Sequence, residues 1–175
     1  MFFKKLASRY SLAGLPPVAT ARLRIAPLIA ADAEAVRTLT DDPAITGAVD
    51  FLPEPFTLKD ARRLIGSEKA IADRFLGVRD ASGALVGIVG THLRGEQAVE
   101  IGYWIGGAFR GQGFGAEAVA GIVALLRRRF PHRLIVAECR PENTASCGLL
   151  RKAGFRDTGD EGHRPGRRIF VIEPS

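Results

Sequence analysis

Arg110-Gly-Gln-Gly-Phe-Gly-Ala-Glu-Ala118, written RGQGFGAEA, fits two different machines. Read from Gly113 it is G-x-G-x-x-A, a form of the dinucleotide-binding fingerprint. Read from Arg110 it is R-G-x-G-x-G, a loop suited to another kind of diphosphate. A helix N-terminus carries orphan N–H groups and a partial positive charge, so it suits an anion. Glycines at 111, 113 and 115 let the backbone turn sharply and approach a ligand, because no Cβ blocks the way. Arg110 and Gln112 add side-chain donors. An unliganded glycine turn is the plain alternative, but this loop follows a strand, opens a long helix and carries an arginine.

The dinucleotide reading gains from Glu138, which stands at the end of the next strand about 20 residues on, where a ribose-binding acid is expected. Two facts oppose it. In that fold the strand runs straight into the first glycine, whereas here Gly106 to Arg110 intervene. The fold also needs further parallel β-α units, and only 37 residues follow Glu138. A Walker-type loop is excluded, since no Gly-Lys-Ser/Thr follows.

Outward from the loop, alternation and breakers set the elements. Thr20–Pro27 alternates as a half-buried strand does. Asp32 caps a helix, DAEAVRTLT, that ends before Asp41-Asp42-Pro43. A Pro-rich loop passes Leu52-Pro53-Glu54-Pro55, and Thr57, with Asp60 at the capping-box offset, opens a helix through Glu68. Arg74–Asp80 and Leu85–Arg94 form a hairpin across Ser82-Gly83, and Ala98–Gly106 follows after Gly95-Glu96. The glycine loop then starts a helix from Gly115 to about Arg129. Arg133–Cys139 is nearly all apolar and therefore a central, buried strand. Pro141-Glu142-Asn143 opens a helix ended by Gly154 as its C′ residue, and two last strands close the chain. The order β-α-α-β-β-β-α-β-α-β-β predicts a mixed α/β protein: an antiparallel meander followed by one β-α-β crossover, with the loop at the crossover.

At 175 residues the chain reads as one domain, residues 20–175, behind a flexible N-terminal extension, residues 1–19. The composition, 46% hydrophobic and 25% charged, is that of a soluble protein. Nothing approaches the roughly 18 apolar residues needed to cross a bilayer, and the N-terminus lacks the apolar core of a secretory signal. Cys139 and Cys147 match no zinc or redox spacing, and three scattered histidines suggest no metal site. A cytoplasmic location is the expectation. The net charge of +6 favours an anionic partner, a nucleic acid or a phosphorylated cofactor. It concentrates at Arg62-Arg63, Arg127–Arg129 and the tail HRPGRR (His163–Arg168). The arginines at 127–129 also read as a helix C-terminus complementing its own dipole.

At this point the residues resemble a family. YWIGGAFRGQGFGAEAV followed by ECRPENTASCGLLRKAGF is similar to the GNAT superfamily of acetyl-CoA-dependent N-acetyltransferases, nearest the RimJ/RimL type. The likeness covers about Thr20 to Ile172. R-G-x-G-x-G combined with N-x-x-S (Asn143, Ser146) and K-x-G-F (Lys152–Phe155) carries it. It implies a mostly antiparallel central sheet with flanking helices, the GNAT fold. It implies that Arg110, Gly111, Gln112, Gly113, Phe114, Gly115 and Ala116 hold the pyrophosphate of acetyl-CoA. Trp104 and Ile105 would pair through their backbone with the pantetheine arm, and Asn143 would hydrogen-bond that arm near Ser146. The strands bearing Glu100 and Glu138 would splay apart around the thioester. The partner would be an amine, on a protein N-terminus (a ribosome-associated one included) or a small molecule. Early helices and loops such as Ala44–Phe56 would shape its pocket. Monomer and homodimer both stay open.

An amine attacks a thioester only when neutral, yet lysine-type amines have a pKa of roughly 10.4 and α-amines roughly 8. A proton acceptor is needed, directly or through water. Glu138 is the first choice and Glu100 the second, an arginine-paired strand-edge carboxylate being the plain alternative for each. A backbone N–H near Ile105 is the candidate donor to the carbonyl oxygen. Many relatives place a proton-donating tyrosine seven residues after the asparagine; that position is Leu150 here, leaving Ser146 or water. Cys147 reads as core, and His92 as a structural histidine or a proton relay. A CoA-binding module without transferase activity, and a basic RNA- or ribosome-associated protein, are the rival functions.

Overall fold

A computed structural model describes residues 11–66 and 71–174. Its strands are β1 (Val18–Ala19), β2 (Arg24–Pro27), β3 (Asp73–Arg79), β4 (Leu85–Arg94), β5 (Ala98–Ile105), β6 (Leu134–Cys139), β7 (Arg156–Glu161) and β8 (Arg168–Ile172). The helices are α1 (Ala33–Thr40), α2 (Pro43–Thr46), α3 (Leu58–Gly66), α4 (Phe114–Arg129) and α5 (Thr144–Lys152). The strands form one sheet in the order β1-β2-β3-β4-β5-β6-β8-β7. Every pairing is antiparallel except β5 with β6, which α4 joins as the expected crossover.

Side-chain alternation puts a separate apolar cluster on each face of the sheet. One face packs Val99 and Ile101 of β5, Ile135 and Ala137 of β6 and Phe170 of β8 under the apolar stripe of α4, Val119, Ile122 and Leu126. The other packs Phe75, Ile88 and Trp104 against Val36 and Leu39 of α1 and Ala61, Leu64 and Ile65 of α3. The result is three layers with the sheet in the middle. Phe170, fully buried, fills the first cluster at the β6–β8 pairing.

Local chemistry explains the boundaries. Thr57 and Asp60 form the reciprocal box at the start of α3: Thr57 N–H donates to Oδ2 of Asp60 at 3.0 Å, and Asp60 N–H to Oγ1 of Thr57 at 3.3 Å. The expected end of that helix, beyond Gly66, lies outside the described residues. Gly154, at φ 92°, ends α5 as expected. Asp32 does something else. It precedes α1 without a side-chain cap, because its carboxylate accepts from Ile29 N–H and pairs with Arg79 on β3. The Pro-rich connection also gains a short helix, α2, where Oδ1 of Asp42 accepts from Ala44 N–H at 2.9 Å. Of the N-terminal extension, the described part is packed: Leu12 and Leu15 are buried in the α4-side core, and β1 pairs with β2. The first ten residues lie outside the described ones.

Phe170→Ala removes a fully buried ring from a close-packed core and is expected to cost about 3–5 kcal/mol, read as a lowered denaturant midpoint at unchanged slope.

Candidate active site

The parallel ladder between β5 and β6 is short. It runs from Ala98↔Leu134 to Glu100↔Val136 and stops, although β5 continues to Ile105 and β6 to Cys139. Beyond Glu100 the two strands part, and a cavity of about 770 Å³ occupies the gap. It reaches from the glycine loop and α5 on one face of the sheet to α2 and Phe51 on the other.

At the α4 end, RGQGFGAEA forms a tight glycine turn that opens the helix. Gly111 and Gly113 sit in the left-handed region at φ 74° and 80°, and Gly113 is the N-cap of α4. Among the described residues, no backbone N–H from Gly111 through Ala116 donates to a protein acceptor; the next one, of Glu117, bonds Gly113 O. The loop is braced from outside. Glu117 accepts from Thr20 Oγ1 and from Arg22, and Arg22 also donates to the carbonyl of Gln112 and lies 4.8 Å from the centroid of the Phe114 ring. Arg110 reaches back to Ile105 O (3.2 Å) and to Asp42 beside α2 (2.9 Å), and the Gln112 side chain to Ala108 O (3.3 Å). Both side chains therefore hold the loop to its flanks. Asn143 caps α5 with Oδ1, which accepts from Ser146 N–H at 3.1 Å. Its amide nitrogen has no protein partner among the described residues.

Ser146 and Tyr103 meet across the gap, with their hydroxyls 2.8 Å apart. Tyr103 falls on the α4 face of β5, in step with Val99 and Ile101. Burial, partly offset by the Ser146 hydrogen bond, pushes its phenol up to about 12. Leu150 is buried beneath. Cys147 is core, as expected, with its sulfur 3.1 Å from that of Cys139; burial pushes the Cys139 thiol up to about 11, so it is protonated at neutral pH.

On the other face stand the two carboxylates. Glu100 and Glu138 have side chains only 6% and 2% exposed, and one residue joins them. Arg164 donates through Nη2 to Oε1 of Glu100 at 2.5 Å and through Nη1 to Oε2 of Glu138 at 2.8 Å. Arg94 holds the other oxygen of Glu100 at 2.5 Å, and His163 N–H donates to Oε1 of Glu138 at 2.7 Å. Burial alone would raise the Glu100 carboxyl; Arg164 and Arg94 outweigh it and leave it below its ordinary value. Neither carboxylate stands unpaired. His92 is satisfied too, its Nδ1 lying 2.7 Å from Asp73.

The sequence pattern missed Tyr103 and Arg164. In Tyr103, an apolar alternation hides one hydroxyl. Arg164 sat in a basic tail that reads as a surface patch, because its contacts lie 26 and 64 residues away in the chain. Arg127–Arg129 occupy the last turn of α4, where they complement its dipole. Among the described residues no group of three metal-ligating side chains forms, and no helix is long and apolar enough to cross a membrane.

The parted strands and the free-amide loop place the chain among proteins that bind an anionic cofactor at a β-α junction. Comparison with known proteins makes that specific. Residues 22–156 match the acetyltransferase (GNAT) domain, and the chain belongs to that family. It is 29% identical over 145 residues to the N-acetyltransferase YnaD of Bacillus subtilis, covering 81% of this chain and 84% of YnaD. A GNAT-family acetyltransferase of Bacillus anthracis superposes with a TM-score of 0.78 at 25% identity, over 90% of this chain and 98% of that one. The ribosomal-protein α-N-acetyltransferase RimL, solved with coenzyme A, shares the fold at a TM-score of 0.78 and 16% identity, over 91% and 98%. The protein is an acetyl-CoA-dependent N-acetyltransferase acting on an amine.

The depressed Glu100 carboxyl has a consequence for acid stability. A carboxyl whose folded pKa lies below its unfolded one, roughly 4.3, stabilises the fold above that value and loses the contribution as pH falls further. Chemical denaturation between pH 7 and pH 3 is expected to show a steeper acid loss in the wild type than in Glu100→Gln. At neutral pH that variant, with Arg94 and Arg164 left short of a partner, is about 1–3 kcal/mol less stable.

Proposed function

We propose that the amine attacks acetyl-CoA directly, with both bound at once in the gap between β5 and β6 and no acetyl-enzyme formed. The cavity that crosses the sheet carries this reading: unpartnered amides at one end, two buried carboxylates at the other, and an open strand edge between. Gly111 to Ala116 would hold the pyrophosphate through backbone N–H groups, with Arg110, Gln112 and Phe114 keeping the loop in shape. The backbone of Trp104 and Ile105, free of a β6 partner, and the Asn143 amide would take the pantetheine arm. Acetyl-CoA supplies the activated acetyl group as a thioester.

The two carboxylates have separate tasks in this reading. Glu100 lies between two arginines, which hold its carboxyl below its ordinary value. Glu138 shares one arginine and is the group assigned to take the amine's proton, directly or through a water. On the opposite face, Tyr103 and Ser146 are assigned to the departing sulfur. A phenol held protonated by burial cannot compete as a base, so the pair acts as donor, and Tyr103 fills the role left vacant by Leu150. A ternary complex needs little more, since positioning both reactants supplies much of the acceleration. The acceptor is a primary amine, either a protein N-terminus such as a ribosomal one or a small molecule.

Glu138→Gln is expected to lower kcat/KM by about 10²–10⁴, with acetyl-CoA affinity retained. If Glu138→Gln and Glu100→Gln both keep full kcat/KM across pH, neither of these carboxylates is the base. Tyr103→Phe is expected to lower kcat about 10²-fold with little change in the KM for acetyl-CoA. With its phenol near 12, Tyr103 adds no alkaline limb to the wild-type rate profile below about pH 11. An unchanged kcat in Tyr103→Phe removes it from the reaction.

A further inference from the structure

The acceptor end of the cavity is aromatic, and its charges are already spent. Phe51, 55% exposed, leans over the opening with its ring centroid 5.8 Å from Phe75 and 6.3 Å from Trp104. Phe75 and Trp104 lie 6.2 Å apart, so each ring is within packing range of the other two. Trp104 is fixed from behind by its indole N–H, which donates to the buried Thr40 hydroxyl at 3.1 Å. Ile45 and Val49 complete this apolar wall. A large exposed ring backed by two buried ones is a surface awaiting a partner.

The cavity's polar lining points the same way. Among the described residues it is lined by three carboxylates, Asp50, Glu100 and Glu138. Asp50 is held by Arg140 at 2.7 Å and Arg167 at 3.0 Å, Glu100 by Arg94 and Arg164, and Glu138 by Arg164. A second ammonium entering here would find no free counter-charge and would face Arg164 and Arg167, a costly arrangement in a partly desolvated site. One amine on an apolar frame meets neither obstacle. Desolvation by the rings also favours its neutral form, the one that attacks.

We infer that the acceptor is a primary monoamine whose carbon frame carries an aromatic group seated on Phe51, Phe75 and Trp104, and that polyamines are excluded. This rests on reading the cavity as the site of amine acetylation. The same chemistry could arrive as a free arylalkylamine or as the N-terminal residue of a peptide.

Trp104 is the only tryptophan of the chain, so its fluorescence reports this wall directly. With the protein saturated in coenzyme A, 2-phenylethylamine and a phenylalanine-initiated tripeptide are titrated beside spermidine. A saturable change with at least one aryl amine, none with spermidine at equal concentration, and about tenfold weaker binding in Phe51→Ala is the expected result. Response to one aryl ligand alone tells free amine from chain terminus. The inference falls if spermidine gives a saturable change at equal concentration, if Trp104 responds to neither aryl ligand, or if Phe51→Ala binds them unchanged. Release of free thiol from acetyl-CoA is followed in parallel. Aryl-amine binding at Trp104 without any thiol release would overturn the reading of this cavity as the site of amine acetylation and leave the pocket's selectivity standing.

Discussion

Where β5 and β6 stop exchanging hydrogen bonds, Arg164 takes over as the link between them. Its two nitrogens reach Glu100 on one strand and Glu138 on the other, 2.5 and 2.8 Å away. Two nearly buried carboxylates at the mouth of a gap repel each other and lose hydration, so without a cation the gap would close or the acids would protonate. A buried ion pair of this kind adds little net stability over an apolar replacement. Its effect here is geometric: it keeps charged groups, and so an open space, in the middle of a sheet that would otherwise zip shut.

The two ends of that space are built by different physics. The glycine-loop end is made of backbone. Two left-handed glycines and a helix N-terminus turn six successive amides toward no protein acceptor, while Arg22 and Glu117 stiffen the outside. The far end is made of side chains drawn from α2, the loop after it and strands β3 to β6. The middle belongs to both, with Tyr103 and Glu100 standing three residues apart on one strand and facing opposite sides of the sheet. Alternation along β5 thus puts the hydroxyl pair on one face and the carboxylates on the other.

Much of this was legible in particular residues. Glycines 111, 113 and 115 announced a loop that needs positive φ and close approach, and positive φ occurs at the first two. Asn143 announced a helix start and caps α5 through Ser146. Thr57 and Asp60 announced another and form it. Asp32 misled because a capping residue and an ion-pair partner look alike in sequence, and Arg79, 47 residues on, won its carboxylate. Leu12 and Leu15 were hidden by a charged, proline-bearing context that gave no periodicity.

By itself the sequence determined the longer elements and their order, the glycine loop at the crossover and the family, because each depends on neighbours within a turn or a strand. Only the tertiary structure decided what the acids are bonded to, which hydroxyl meets Ser146, and what lines the far end of the cavity. Those contacts join residues 26, 43 and 64 positions apart, and long-range pairing leaves no periodic trace in a single chain. Arg164 is the plainest instance: a tail arginine in the sequence, and in the fold the bridge across the active site.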